Sequence, residues 1–276
     1  MLRTALMLGL LTGILLVVGY FIAGFAGMTM FLILAFAINF ASYWYSDKIV
    51  LGMYRAKEIP KNQEPKLHEI VEKISKEMKI PKPKVYLVDM PVLNAFATGR
   101  SPKHAAIAVT SGLLKHLEWD EIEGVLSHEF AHIKNRDTLT STIAATVAGA
   151  IAFIAQIAWF SLFFGNRRQG GNALMLPLLL LAPIAATMVQ LAISRNREYK
   201  ADYTGALVSK KPLSLASALG KISKVAENHP IRGNAATSHL FIVNPFKGDA
   251  FVNFFSTHPP VEQRIKRLKQ ISKETS

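Results

Sequence analysis

Residues Glu118–Asp137 read EWDEIEGVLSHEFAHIKNRD, and the pentad His128-Glu129-Phe130-Ala131-His132 within them decides how the rest of the chain is read. On an α-helix, positions i and i+4 lie one turn apart on the same face, so both imidazoles can reach one metal ion at ~2.0–2.1 Å. Glu129, beside the first, is then placed to act as base on a water at that ion. The stretch favours a helix: it holds no Pro and no β-branched run, and Asp120, Glu121 and Glu123 put negative charge near its start. The metal that suits such ligands, with a water position left open, is Zn²⁺, one per chain.

A catalytic zinc needs a third protein ligand. The metzincin spacing does not supply it, because the third residue after His132 is Asn135 where that pattern wants Gly, and the sixth is Thr138 where it wants His. His68, on the polar face of a helix, and His104, His116, His229 and His239 read as solvated residues. Glu198 is the stronger candidate, in Arg195–Asp202 (RNREYKAD). Glu198 and Asp202 stand at i and i+4, so one carboxylate can bind the metal while the other accepts a hydrogen bond from a ligand imidazole and fixes its tautomer.

Between His132 and Glu198 lies apolar sequence. Residues 4–46 carry no charge, and residues 138–194 carry only Arg167 and Arg168. Gly24-Phe25-Ala26-Gly27 divides the first block, and the polar link from Phe164 to Asn172 divides the second. Each half is about 20 residues, enough to cross ~30 Å of hydrocarbon. Two hairpins give four transmembrane helices, and only an even number of crossings returns Glu198 to the side of the metal. Arg3, Lys48, Arg55, Lys57, Lys61, Arg195, Arg197 and Lys200 fall on one side and Arg167 and Arg168 on the other. That bias predicts a multi-pass protein of the cell (inner) membrane, with the charged body and both termini in the cytoplasm.

The domain plan is therefore a hairpin over 1–46, a first catalytic part over 47–137, a second hairpin over 138–194 and a second catalytic part over 195–276. In the charged body, Leu67, Ile70, Val71, Ile74 and Met78 mark one face of a helix stopped by Pro81. Lys84–Val88, Asn94–Thr98 and Ala105–Thr110 read as the strands of a small sheet. Leu213, Leu219, Ile222 and Val225 suggest a further helix, and Pro259-Pro260 opens a terminal one reaching about Leu268. The fold class is membrane α-helical plus α+β, the soluble part mostly helical with a small β-sheet.

The chain has no Cys, which excludes disulfides, thiolate zinc sites and Cys nucleophiles. A net charge of +13 would permit nucleic-acid binding, but the Lys residues are scattered and flank the apolar blocks, which points to an anionic membrane surface as partner and not to nucleic acid.

The N-terminal hydrophobic hairpin, Asn94–Gly99 (NAFATG), His128–His132 (HEFAH), the second hydrophobic hairpin, Glu198–Asp202 (EYKAD) and Thr257–Pro260 (THPP) together resemble the HtpX membrane zinc metalloproteases, in the clan that includes the CAAX prenyl proteases. The resemblance spans essentially the whole chain. It implies a gluzincin-like fold with a cytoplasmic active site, zinc on His128, His132 and Glu198, Glu129 as base, and membrane-protein quality control acting on protein or peptide substrates. It also implies that Asn94, Ala95, Phe96, Ala97 and Thr98 form an edge strand gripping the substrate, and that His258 and Arg264 face the active site. On pattern alone His258 reads as a capping residue and Arg264 as one exposed base among Lys266, Arg267 and Lys269. One departure is Glu118, where relatives usually offer Thr as helix N-cap. Two rival readings are an intramembrane protease, disfavoured by the charges crowding residues 118–137, and a scaffold with a structural zinc, which would want a fourth protein ligand.

Overall fold

The computed structural model describes residues 2–141, 143, 151, 156, 195–230, 240–243 and 259–275. The chain divides into two compact units, Met1–Trp44 with Thr140–Ala192, and Tyr45–Leu139 with Ile193–Ser276.

In the first unit, α1 (Leu2–Trp44) is broken at Ala23 and Gly24, where Gly24 takes φ 60° and ψ −141°. The break folds the chain back on itself: Asn39 donates to the Thr12 hydroxyl at 3.0 Å, and a Cβ on Gly19 or Gly27 would run into the other residue's carbonyl oxygen. Small residues at the crossing let the two arms approach closely, as helices in lipid do. Phe25, Ile33 and Phe36 remain exposed. Among the described residues, Thr4–Trp44 is the one stretch long and apolar enough to cross a membrane. The second expected hairpin, 138–194, lies almost wholly outside them.

The second unit is built on a four-stranded mixed sheet in the order β1-β2-β4-β3, from β1 (Lys57–Glu58), β2 (Lys84–Val88), β3 (Ala95–Gly99) and β4 (Ala105–Thr110). β4 runs parallel to β2 and antiparallel to β3, which is an edge. Side chains alternate across the sheet. Ile107 and Val109 join Val85, Ala95 and Ala97 in the main core, while Ala106 and Ala108 join Phe96 and Val88 against Val50 and Leu51 of α2 (Ser46–Met53).

The main core lies under α3 (Pro65–Met78) and α5 (Trp119–Asn135), which follows the short α4 (Ser111–His116). α3 buries the expected face, Leu67, Ile70, Val71, Ile74 and Met78. α5 is the central helix, with Ile122, Val125, Leu126 and Phe130 fully buried. Glu121 supplies the expected start: its carboxylate accepts from the Glu118 backbone N–H at 2.8 Å and also receives Ser217 and Lys221. α6 (Arg195–Ser209), α7 (Pro212–Asn228) and α8 (Val261–Thr275) complete the unit. α6 crosses α5 at Gly205, where a Cβ would come within 2.8 Å of the His128 backbone nitrogen.

Three local readings need correction. His68 is buried, its Nε2 3.0 Å from the Ile59 carbonyl, because the Ile59 turn folds over that side of α3. Leu213 is exposed, and Leu215 fills its expected place in the core. α8 runs a further two turns beyond Leu268, to Thr275.

Candidate metal centre

His128 rises from the middle of α5 and His132 from its last turn, and Glu198 from the first turn of α6. The three residues offer ligand atoms all within 4.8 Å of one another. His128 Nε2 and His132 Nε2 face each other at 3.2 Å; Glu198 Oε2 stands 3.6 Å from the first and Oε1 3.5 Å from the second. Atoms held tetrahedrally at ~2.0–2.1 Å from one ion lie ~3.3–3.4 Å apart, so two imidazole nitrogens and a carboxylate at these separations fit a metal of the zinc type.

The neighbours of the histidines fix their orientation. His128 Nδ1 lies 2.9 Å from Asp202 Oδ1, so an Nδ1–H donated there turns the Nε2 lone pair toward the cluster. Arg264 grips the same carboxylate in bidentate fashion, Nη2 to Oδ1 at 2.7 Å and Nε to Oδ2 at 2.9 Å, and gives Nη1 to the Ile242 carbonyl at 3.2 Å. Arg264 is fully buried, which overturns its reading as an exposed base. Its guanidinium meets Asp202 closely and stands 4.0 Å from Glu198 Oε2, so its main hold is on Asp202.

Burial would raise the pKa of Asp202, but the Arg264 charge and the His128 contact outweigh it and hold the carboxyl well below the usual range. Burial likewise opposes a charged His128, yet hydrogen bonds with Asp202 and Glu198 push its pKa up to about 9. Arg264, desolvated but facing Asp202, is firmly cationic. Glu129, Glu198 and Asp202 are all buried around one guanidinium, an excess of negative charge that suits a cation.

Two positioning residues escape the sequence reading. Asp137 Oδ2 lies 3.2 Å from His132 Nδ1, and Arg197 Nε lies 3.6 Å from Asp137 Oδ1. Each histidine thus has its own carboxylate with an arginine behind it. The available signal was an acidic residue five positions past His132, just beyond the helix end.

Glu129 is buried, and its Oε2 accepts the Ala97 backbone N–H from β3 at 3.0 Å. The β3 segment is therefore beside the site, with its backbone groups divided between two sides. Asn94 O receives Thr110 N–H of β4, whereas the Ala97 N–H and the Gly99 carbonyl point away from β4, to Glu129 and Thr138. Alternation gives Phe96 and Thr98 to β4 and Ala95 to the other side. The Asn94 side chain is spent on the backbone of 240–242, donating to Leu240 O at 2.9 Å and accepting from Ile242 N at 3.1 Å. His258 lies outside the described residues.

A zinc-type cluster between α5 and α6, with an adjacent buried Glu held by the edge strand β3, defines a metallopeptidase, and the chain belongs to peptidase family M48, whose model matches residues 61–272. It is a metalloprotease acting on peptide or protein substrates. It is 54% identical over 277 residues to a Protease HtpX homolog of Pyrococcus furiosus, covering 99% of this chain and 96% of that protein. A Protease HtpX homolog of Aquifex aeolicus is 52% identical, with 95% and 90% covered. The crystal structure of S. mikatae Ste24p shares the fold at a TM-score of 0.52 and 18% identity; the match covers 86% of this chain and 57% of that one, a little over half its length.

Proposed function

We propose that this chain is a zinc-dependent endopeptidase anchored in the membrane by two apolar hairpins, cleaving membrane or misfolded proteins at the cytoplasmic face in protein quality control. The observation that carries the reading is the clustering of His128, His132 and Glu198 at tetrahedral-ligand separations beside Glu129. The group comprises three residues among those described, which favours a hydrolytic centre over a structural one.

His128, His132 and Glu198 would hold the zinc, which when bound polarises a carbonyl and makes water more acidic. The Ala97 N–H aims the Glu129 carboxylate and leaves its Oε1 to take a proton from the attacking water. The same carboxyl then delivers that proton to the amine nitrogen as the peptide C–N bond breaks. Asp202 and Asp137 keep the Nδ1 protons on their histidines, so that the Nε2 lone pairs stay directed inward. An extended substrate would pair with the backbone of Ala95 and the Ala97 carbonyl, and His258 would meet the charge that develops on the carbonyl oxygen.

Glu129→Gln is the direct test. Casein digestion by the purified full chain should disappear, while zinc stays near one per chain, because Glu129 is base and not ligand. Retained digestion, or loss of the metal in that variant, contradicts the assignment.

A further inference from the structure

α6 and α8 enclose a groove of about 490 Å³, lined on one side by Asn196, Tyr199, Lys200 and Tyr203 and on the other by Arg267 and Gln270. The peptidase chemistry uses none of these six. The Arg267 guanidinium lies 4.2 Å over the Tyr199 ring, and the Tyr199 hydroxyl donates to Gln263 at 2.9 Å. A guanidinium stacked in this way is already held in place and loses little freedom when it meets an anion. Among the described residues, neither Lys200 nor Arg267 has a carboxylate within ion-pair distance. Of the carboxylates that share the lining, Asp202 is taken up by Arg264 and His128, which leaves Glu274, in the last turn of α8, as one negative charge against two cations.

We propose that this groove binds the phosphate of an anionic phospholipid headgroup between Lys200 and Arg267, with the Asn196 and Gln270 amides as neutral donors. Phosphate is the class that two cations and amide donors recognise. The lipid source follows from chain order and rests on the membrane reading above. No charge separates Arg168 from Arg195. Lys200 therefore lies only ~8 Å of helix rise beyond the end of that apolar run. Tyr, Lys and Arg are the side chains that settle at headgroup depth. Tyr199 and Lys200 directly follow Glu198, and Asp202 is in the groove wall, so a headgroup there rests on the turn of helix that presents the metal ligand.

The full chain, purified in neutral detergent, can be titrated with phosphatidylglycerol and with phosphatidylcholine while native mass spectrometry counts bound lipid. Wild type should hold one phosphatidylglycerol at least tenfold more tightly than phosphatidylcholine. Lys200→Glu with Arg267→Glu should lose at least tenfold, and Lys115→Glu with Lys224→Glu, an equal charge change on exposed residues elsewhere, should lose nothing. Equal retention by the groove variant, or an equal loss in the control pair, overturns the proposal. Displacement of the lipid by millimolar inorganic phosphate assigns the groove to a free anion and overturns the lipid. Metal content and casein digestion, read on the same samples, report on the peptidase separately.

Discussion

Arg136 ends α5 in the left-handed region, φ 61°, and that turn swings Asp137 back to within 3.2 Å of His132 Nδ1. A side chain that costs backbone strain to place, and that Arg197 then holds, belongs to the metal centre's support. Asp137→Ala should lower zinc affinity by ~10–100-fold, as losing the partner of a ligand imidazole does elsewhere. Chelator competition on the purified chain measures it, and affinity unchanged from wild type would remove Asp137 from the site. Glu121 makes a different kind of prediction. Burial would raise its pKa, but Lys221, Ser217 and the Glu118 N–H lower it below the ordinary 4.5. The unfolded chain then binds the proton more readily, so the stabilisation is present above about pH 4.5 and is lost as pH falls through the folded value. Glu121→Gln should cost about 1 kcal/mol near pH 7, and the gap in thermal unfolding between variant and wild type should close in acid.

α6 can present Glu198 and Asp202 to α5 only because Gly205, two turns on, lets the helices touch at His128. Gly205→Val should push α6 away, lower zinc affinity at least tenfold and leave the sheet intact; normal metal binding by that variant would show that the close crossing is dispensable. The sequence shows helices of this kind unevenly. α3 announces itself because five apolar residues repeat along one face and Pro81 stops it. The strands Lys84–Val88 and Ala105–Thr110 are legible from β-rich composition between turn residues. β1 has two residues and both are exposed, so no periodicity could reveal it. The Glu198–Asp202 pairing was readable from spacing, but the burial of Arg264 was not. A guanidinium enters a core only when a carboxylate from another helix meets it, and that is a tertiary fact. Asp137 was hidden for the same reason: its reach depends on one residue's backbone angle.

The N-terminal hairpin, with its glycines at the crossing and its phenylalanines outward, is built for lipid, and the charged unit follows it without a long linker. If both apolar blocks cross twice, reporters fused after Ser276 and inserted near Gln63 should be found on the cytoplasmic side, and one inserted at Gly170 on the opposite side. Opposite sides for Gln63 and Ser276 would separate His128 and His132 from Glu198 and dismantle the centre. The interleaving of the two units along the chain also sets an order of birth. A ribosome that has delivered His128 and His132 still has about 65 residues to make before Glu198, some 3–13 s at ~5–20 residues per second. Most of those residues are the second apolar block, so the third ligand reaches its partners only after that block has been synthesised. A nascent chain that still lacks that block holds two of the three ligands, and the site stays incomplete until the block has been made.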